Sequence, residues 1–176
     1  PIDLQRDLRA MADAGVQAVV MEVSAHAIDM FRLDGMSFEV GAYTNLSQDH
    51  LDLFGTMQRY FECKKTFFTP KWVKNAVINA DEETSEGILK DIKVPFITFG
   101  ISSPADLFAR DIEITENGVN FKLGFHKMWE KEVHLQLTGM FNVYNALAAA
   151  SVALVAGVSP DVIAKGLESL RNVPGR

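Results

Sequence analysis

The order of apolar and polar positions along the chain predicts an α/β fold, in which helices flank a mostly parallel sheet. Apolar residues recur with the helical period over 3–14 and 56–68, and further helices are predicted over 82–89, over the Ala-rich segment 141–156, over 161–170 after the Ser159-Pro160 cap, and over the short stretch 26–31. Apolar runs rich in β-branched and aromatic residues predict strands over 18–23, 38–43, 76–78 and 96–99. We expect the first of these strands to be buried on both faces.

The pattern changes after Gly100, where apolar and polar residues alternate as in strands with one exposed face. Such strands are predicted over 108–115, 119–125 and 133–137. Between the first two, Asn117-Gly118 is a strong signal for a hairpin turn. We therefore expect a small antiparallel β insert against one edge of the parallel sheet.

Length and composition indicate one globular domain with a core of its own. The chain has 176 residues, of which 48% are hydrophobic and 23% charged. A net charge of −6 and the lack of a basic run argue against general nucleic-acid binding. No apolar stretch reaches membrane-spanning length, and the single Cys63 excludes a disulfide framework. We expect a cytoplasmic monomer without nucleic-acid or membrane partners.

Two polar clusters occur where predicted strands end, and they mark the candidate functional site. The first, Met21–His26, ends the predicted strand over 18–23, and the second, Thr44–Asp52, follows the strand over 38–43. Ligands of open parallel sheets bind in the crevice outside the carboxyl ends of the strands. We therefore expect both clusters to meet in one crevice and to form a metal–phosphate site.

Several stretches of the sequence match one family of enzymes in the family's order: Met21–His26, Thr44–Asp52, Gly55–Lys64, Asn79–Asp81, Gly139–Ala149 and Val173–Arg176. They span nearly the whole chain. Together they resemble the Mur ligases of peptidoglycan synthesis, of the type that adds the third residue to UDP-N-acetylmuramoyl-dipeptide. The resemblance implies the fold of a P-loop-type Mur ligase central domain whose N-terminal part is missing.

Glu22 and His50 are candidate metal ligands. Taken alone, Glu22 could be a surface carboxylate in a loop, and His50 could be a structural histidine. Carboxylate oxygen is the ligand that Mg²⁺ prefers, and Asp49 and Asp52 flank His50. The resemblance implies that Glu22 contacts Mg²⁺ near the γ-phosphate of ATP and that His50 contacts a second Mg²⁺. We expect Asp49 to orient His50 or the loop backbone.

Lys64 is the third candidate, although a lysine on an exposed helix face is usually just solvated. On the predicted helix it shares a face with apolar side chains, namely Met57, Tyr60, Phe61 and Phe68. Partial burial favours a neutral amine, which can add carbon dioxide and become a carbamate with metal-binding oxygens. The resemblance implies that Lys64 is carbamylated and is catalytic together with Glu22 and His50. Lys65 points about 100° away and is expected to be solvated.

Ser24 and Arg32 resemble the family residues that hold the UDP-linked substrate. Two departures affect this region, since Ala25 stands where many members have a second Ser and Met30 where some carry a Gln. We expect both to alter substrate contacts slightly without touching the metal chemistry. His26 also matches the motif, and we expect it to make a structural hydrogen bond.

Asn142 and Asn145 lie three residues apart on an Ala-rich predicted helix and therefore share a face. Taken alone, they are the polar edge of a helix start, where Asn142 could act as the cap. An Asn side chain can also bind the edge of adenine in bidentate fashion. The resemblance implies that both bind beside the adenine of ATP and that Arg176 approaches the nucleotide phosphates.

The sequence contains no G-x-x-x-x-G-K-[ST], so the phosphate-binding loop of a P-loop ATPase is absent from these residues. By resemblance, that loop precedes residue 1, and the N-terminal UDP-binding and C-terminal amino-acid-selecting domains lie outside the chain. We therefore expect residues 1–176 to be a partial central domain that is inactive in isolation.

The resemblance implies an ATP-dependent ligase that adds a diamino acid to UDP-N-acetylmuramoyl-L-Ala-D-Glu through an acyl phosphate, with Mg²⁺ as cofactor. One alternative is another ligase of the superfamily, such as a folylpolyglutamate synthase. The combination of two motifs in this sequence argues against it, namely E-V-S-x-H and N-L-S-x-D-H-L-D. Another is a non-catalytic nucleotide-sugar binding module, against which a P-loop upstream of residue 1 would argue. Meso-diaminopimelate and lysine both remain open as the added residue.

Overall fold

The computed structural model describes residues 2–47 and 51–172, with the backbone only at Leu51. These residues form a six-stranded sheet whose strands lie side by side in chain order. The strands are β1 (Phe38–Tyr43), β2 (Val73–Asn79), β3 (Phe96–Gly100), β4 (Leu107–Thr115), β5 (Gly118–Phe125) and β6 (Trp129–Leu135). The helices are α1 (Ile2–Asp13), α2 (Ala25–Asp29), α3 (Leu51–Phe54), α4 (Met57–Lys65), α5 (Ser85–Leu89), α6 (Met140–Val155) and α7 (Pro160–Ser169).

The strand directions confirm the predicted fold class of a mostly parallel sheet with a small antiparallel insert. Strands β1 to β4 run parallel, and β5 and β6 then add to β4 in antiparallel order. The hairpin between β4 and β5 turns at Glu116 and Asn117, as the Asn117-Gly118 signal predicts. The register of this pair shifts between Arg110 and Glu113, where Asp111 has a φ of +54°.

The sheet buries a separate apolar cluster on each face. In β2, Val77 contributes to the cluster under α6 and α7, whereas Ala76 and Ile78 contribute to the cluster under α2, α4 and α5. Successive side chains of a strand point to opposite faces, so a strand covered on both sides must be apolar throughout. This explains why residues 76–78 of β2 form an uninterrupted apolar run rather than an alternating one.

Helix α6 covers one face of the sheet and crosses β1, β2, β3 and β4. Its small side chains let it lie close to the strands, and Leu147 and Val143 fill the contact with no exposed surface. Glycine at position 41 serves a similar purpose on the other face, because an added Cβ would come within 2.7 Å of Val73 and 2.9 Å of Phe67.

The predicted buried strand over 18–23 is wrong. Residues 16–24 form neither helix nor strand, and Val19 and Val20 are 47% and 93% exposed. A strand needs a neighbour for its backbone N–H and C=O groups. Within the described residues, β1 pairs only with β2, and no strand pairs with this apolar run. Helix α1 forms as predicted, but none of its described side chains is buried.

No helix in the described parts of the chain is both long and apolar enough to cross a membrane.

We predict that Leu147→Ala lowers the free energy of unfolding by about 2–5 kcal/mol, because it leaves a cavity between α6 and the sheet. Leu147 has no exposed surface, whereas Leu170 at the end of α7 is 43% exposed. The matched change Leu170→Ala should therefore cost less than about 1 kcal/mol. Urea unfolding of both variants measures the difference, and equal losses would contradict the assigned packing of α6.

Candidate functional site

The segment that carries Glu22 and Ser24 meets helix α4 at its Cys63. The thiol of Cys63 donates a hydrogen bond to the carbonyl oxygen of Ala25 at 3.3 Å. Ala25 has no exposed surface and shares an apolar cluster with Tyr60 of α4 and Phe54 of α3. Helix α4 is therefore fixed against the start of α2, although the two elements are distant in sequence.

The segment after β1 reaches the same place. Leu46, from the second polar cluster, packs against the group formed by Ala25, Phe54 and Tyr60, next to Met57 and Cys63. The structure thus brings together the first polar cluster, the start of the second and helix α4. This contact arises through packing of α2 against α4, not through a strand that ends at Val23.

Lys64 lies on this side of α4 and is half-buried. Its Nζ stands 5.0 Å from the centroid of the Tyr60 ring, which is a cation–π contact of the unmodified ammonium. The aromatic face of Tyr60 covers the amine on that side. The lysine is thus held in a fixed direction instead of extending freely into solvent.

The expectation that Lys65 is simply solvated is wrong. Its Nζ forms an ion pair with Asp91 at 2.5 Å, and its side chain is 22% exposed. Asp91 raises the pKa of Lys65, and Lys65 in turn lowers the pKa of Asp91. The two neighbouring lysines therefore lie in different settings: Lys65 is neutralised by a carboxylate, and Lys64 lies over an aromatic ring.

Glu22 is exposed between the half-buried Met21 and Val23, whose side chains pack against the cluster under α2 and α4. His50 and Asp49 lie outside the described residues, so their place beside Glu22 and Lys64 stays a prediction. Within the described ranges, no group of three His, Cys, Asp or Glu residues is arranged to hold a metal ion.

Ser24 and Arg32 lie at the two ends of α2. Ser24 is the N-cap, and its Oγ accepts a hydrogen bond from the backbone N–H of Ala27 at 3.1 Å. The guanidinium of Arg32 is exposed and donates to the sulfur of Met30 at 3.4 Å. Phe31, which lies between Met30 and Arg32, has a φ of +55°, and this backbone conformation turns the chain after the helix.

Asn79 connects the carboxyl ends of β1 and β2. It is 7% exposed, and its side-chain amide donates to the carbonyl oxygen of Thr44 at 2.8 Å. Its side-chain oxygen accepts the backbone N–H of Asp81 at 3.0 Å. Since Thr44 begins the second polar cluster, this amide fixes the point from which that loop leaves the sheet.

Asp81 is the residue whose role the sequence reasoning missed. Its carboxylate accepts backbone N–H groups of Ile101 at 2.6 Å, Ser102 at 3.1 and 3.2 Å, and Ser103 at 2.6 Å. It also accepts the hydroxyl of Tyr144 on α6 at 2.9 Å. Asn79–Asp81 was part of the matched sequence, and its position just after an apolar strand was the available signal.

Hydrogen bonding keeps the Asp81 carboxylate ionised. Partial burial by itself raises the pKa of this group, but the backbone N–H groups of Ile101, Ser102 and Ser103 and the Tyr144 hydroxyl outweigh that effect. Together they lower the pKa from 3.8 to about 2. The same contact raises the pKa of Tyr144, after the larger effect of its own burial.

Asn142 and Asn145 share a face of α6, as their spacing predicts. Gly139 is the N-cap, so Asn142 lies inside the helix, where its amide donates to the carbonyl oxygen of Thr138 at 2.8 Å. The amide of Asn145 donates to the Asn142 side-chain oxygen at 3.3 Å. Asn145 is exposed and Asn142 half-buried. Arg176 lies outside the described residues.

An open cleft of about 550 Å³ lies between α4 and α5, next to Leu46 and Met57. Its rim carries three carboxylates, Glu82, Glu83 and Glu86, and one cation, Lys90. This excess of negative charge disfavours phosphate, so the cleft is not where nucleotide phosphates would bind.

A mostly parallel sheet with polar loops at the carboxyl ends of its strands is typical of nucleotide-binding α/β domains. The sequence of residues 1–153 matches a protein-family model that is described as the Mur ligase middle domain. The chain therefore belongs to the Mur ligase family.

The chain is similar over nearly its whole length to curated ligases of this family. It is 39% identical over 185 residues to the UDP-N-acetylmuramoyl-L-alanyl-D-glutamate--2,6-diaminopimelate ligase of Bacillus licheniformis. This alignment covers 99% of the present chain and 37% of that relative. It is 38% identical over 182 residues to the ligase of the same name from Geobacter metallireducens, with coverage of 99% and 35%. The chain thus spans little more than a third of these relatives.

A solved structure of a UDP-N-acetylmuramoyl-L-alanyl-D-glutamate--2,6-diaminopimelate ligase agrees closely in fold. It aligns with a TM-score of 0.90 and 30% identity, over 99% of this chain and 37% of its own. MurF from Acinetobacter baumannii aligns with a TM-score of 0.68 and 30% identity, over 78% of this chain and 30% of its own.

We predict that Asp81→Asn destabilises the domain at neutral pH and that the loss depends on pH. The folded-state pKa is about 2 against 3.8 for an unperturbed Asp, so the stabilisation is complete above about pH 4 and disappears as the pH falls towards 2. The shift sets an upper limit of about 2.5 kcal/mol, which partial exposure reduces to about 1–2 kcal/mol.

Urea unfolding at pH 7, 4 and 3 measures this difference. Asp111→Asn is the matched control, since Asp111 is an exposed carboxylate whose pKa is lowered mainly by one lysine, Lys122. It should leave the free energy of unfolding nearly unchanged at each pH. An Asp81→Asn deficit that is the same at pH 7 and pH 3 would contradict the role of the carboxylate charge.

Proposed function

We propose that residues 1–176 are part of the central, ATP-binding domain of a ligase that joins a diamino acid to UDP-N-acetylmuramoyl-L-Ala-D-Glu. The observation that carries the proposal is the meeting of three matched segments, at Ala25, Leu46 and Tyr60, beside Lys64. The curated relatives are named as 2,6-diaminopimelate ligases, which supports 2,6-diaminopimelate as the added amino acid. We further propose that the whole protein acts in the cytoplasm as a monomer, with its P-loop and outer domains beyond these residues.

In the proposed reaction, the terminal carboxylate of the dipeptide attacks the γ-phosphorus of ATP, giving an acyl phosphate and ADP. The amine of the diamino acid then attacks the acyl carbon, and inorganic phosphate leaves as the amide bond forms. Such phosphoryl transfer depends mainly on positioning and on neutralising negative charge. The residues of this chain therefore contribute chiefly by holding the reactants.

Glu22, His50 and carbamylated Lys64 would hold Mg²⁺, which neutralises phosphate charge when bound. The residues described at this position fit that role in part: Glu22 is an exposed carboxylate, and Lys64 is held at the packed cluster. A carbamate would lose the cation–π contact with Tyr60, because the aromatic face repels an anion. The modified lysine therefore needs a cation beside it, which ties the carbamate to metal binding.

Substrate and nucleotide contacts are assigned to the polar residues around this centre. The Ser24 hydroxyl accepts the cap bond from Ala27, which leaves its own hydrogen for a substrate oxygen. The exposed Arg32 would pair with an anionic group of the UDP-linked substrate. Asn142 and Asn145 would bind the adenine edge, and Arg176 the phosphates.

We predict that Lys64→Ala lowers ligase activity more than about 100-fold and that millimolar acetate or formate restores part of it, because a carboxylate can replace the carbamate oxygens. His50→Ala should lose activity without such rescue, since acetate does not replace imidazole. Both are measured as dipeptide- and diaminopimelate-dependent ADP release by a complete ligase that includes residues 1–176.

Lys65→Ala is the matched control, because Lys65 is paired with Asp91 and should not contact the reactants. It should keep activity within about threefold and show no response to acetate. If acetate rescues Lys64→Ala and His50→Ala equally, Lys64 is not a carbamate donor. If the complete ligase releases no ADP with the dipeptide and diaminopimelate, the proposed function itself is wrong.

A further inference from the structure

The hydroxyl of Tyr144 links helix α6 to the end of strand β2. Tyr144 directly precedes Asn145, and its hydroxyl donates to Asp81 Oδ2 at 2.9 Å. The residue therefore connects the first turns of α6, which carry Asn142 and Asn145, to a carboxylate that belongs to the sheet.

Asp81 is a rigid anchor for that contact. Backbone N–H groups of Ile101, Ser102 and Ser103 hold its carboxylate, and its own N–H is bound by Asn79. The absence of a side chain at Gly100 permits this close approach, since an added Cβ would lie 3.2 Å from both carboxylate oxygens. Carboxylate and loop therefore move as one unit with the ends of β2 and β3.

The start of α6 has few other contacts that fix its direction. Its N-cap Gly139 makes no side-chain cap bond and has a φ of +95°. Met140 is 42% and Phe141 67% exposed, so the first turn packs through Val143. The bond from Asn142 to the Thr138 carbonyl is local, and the Thr138 hydroxyl donates to the carbonyl oxygen of Thr115 at the end of β4 at 3.1 Å. Among the described residues, the Tyr144 hydroxyl thus makes the polar contact from within α6 to the carboxyl ends of the parallel strands, whereas Thr138 ties the residues before the helix to β4.

We infer that Tyr144, held by Asp81, is a positioning residue that sets the direction of Asn142 and Asn145 towards the base of the bound nucleotide. This inference rests on the proposed function. A bidentate amide–adenine contact is sensitive to angle, and guanine presents a different order of donors and acceptors. Correct placement of the two amides therefore determines the preference for adenine over guanine nucleotides as well as affinity.

The test compares Tyr144→Phe with Tyr43→Phe in a complete ligase that includes residues 1–176. Both changes remove one hydroxyl from a tyrosine that makes a hydrogen bond, since Tyr43 binds Thr84 Oγ1 at 2.6 Å. Tyr43 lies under α4 and α5, away from α6. Four quantities are measured: KM for ATP, kcat, and the inhibition constants of ADP and GDP.

We expect Tyr144→Phe to raise KM for ATP and the inhibition constant of ADP by roughly three- to tenfold, the range for one lost hydrogen bond. The value of kcat should stay within about twofold, and the inhibition constant of GDP should not rise, so the preference for ADP over GDP falls. Tyr43→Phe should leave this preference unchanged. Gly100→Ala, which displaces Asp81 while Tyr144 stays intact, should lower it as Tyr144→Phe does.

The outcomes separate the two proposals. If the wild-type ligase acts with ATP but Tyr144→Phe and Gly100→Ala keep the full preference for ADP, the positioning role is overturned and the proposed function stands. If Tyr43→Phe lowers the preference equally, the effect is a general loss of stability and the inference is likewise overturned. If the wild-type ligase does not use ATP, both proposals fail.

Discussion

The hydrogen bonds accepted by the Asp81 carboxylate hold together the loops at the carboxyl ends of the parallel strands. A parallel sheet fixes its strands but leaves the loops at their carboxyl ends without partners. Here the partly buried carboxylate of Asp81 accepts hydrogen bonds from three consecutive N–H groups of the β3–β4 loop and from one tyrosine hydroxyl of α6. Asn79 extends the same set of bonds to Thr44, where the second polar cluster begins. The loops after β1, β2 and β3 and the start of α6 are thus fixed relative to one another.

The second constraint is apolar and acts on the other side of the sheet. Ala25, Phe54 and Tyr60 form a small cluster that fixes α2, α3 and α4 against one another. Lys64 lies over Tyr60 and therefore takes its direction from that cluster. Helix α6 and Lys64 are thus positioned by two sets of contacts, which meet in the loop after β1, where Thr44 binds Asn79 and Leu46 packs against the cluster.

The elements that local pattern determines were predicted well. Alternation and Asn117-Gly118 indicated the antiparallel insert, and the Ala-rich composition of 141–156 indicated α6, because each signal depends on neighbours in sequence. The prediction of a strand over 18–23 was wrong because a β-branched composition favours a strand only where another strand lies beside it. Lys65 was misjudged because its partner Asp91 is far along the chain.

For the candidate site, too, local features could be predicted from the sequence and long-range contacts could not. The spacing of Asn142 and Asn145 and the apolar face around Lys64 could be read from the helical period. The role of Asp81 could not, because its partners are mostly backbone N–H groups, which every non-proline residue has. Only the folded arrangement, with Gly100 leaving room, shows where three of them converge.

The central claim is that Lys64 becomes a carbamate that binds the catalytic metal. ¹³C NMR of a complete ligase incubated with ¹³C-bicarbonate, nucleotide and Mg²⁺ tests it most directly. The account predicts a carbamate resonance that is broadened beyond detection when Mn²⁺ replaces Mg²⁺ and is absent from Lys64→Ala but present in Lys65→Ala. A wild-type ligase that is active without a carbamate resonance, or a resonance that Mn²⁺ does not broaden, would contradict it.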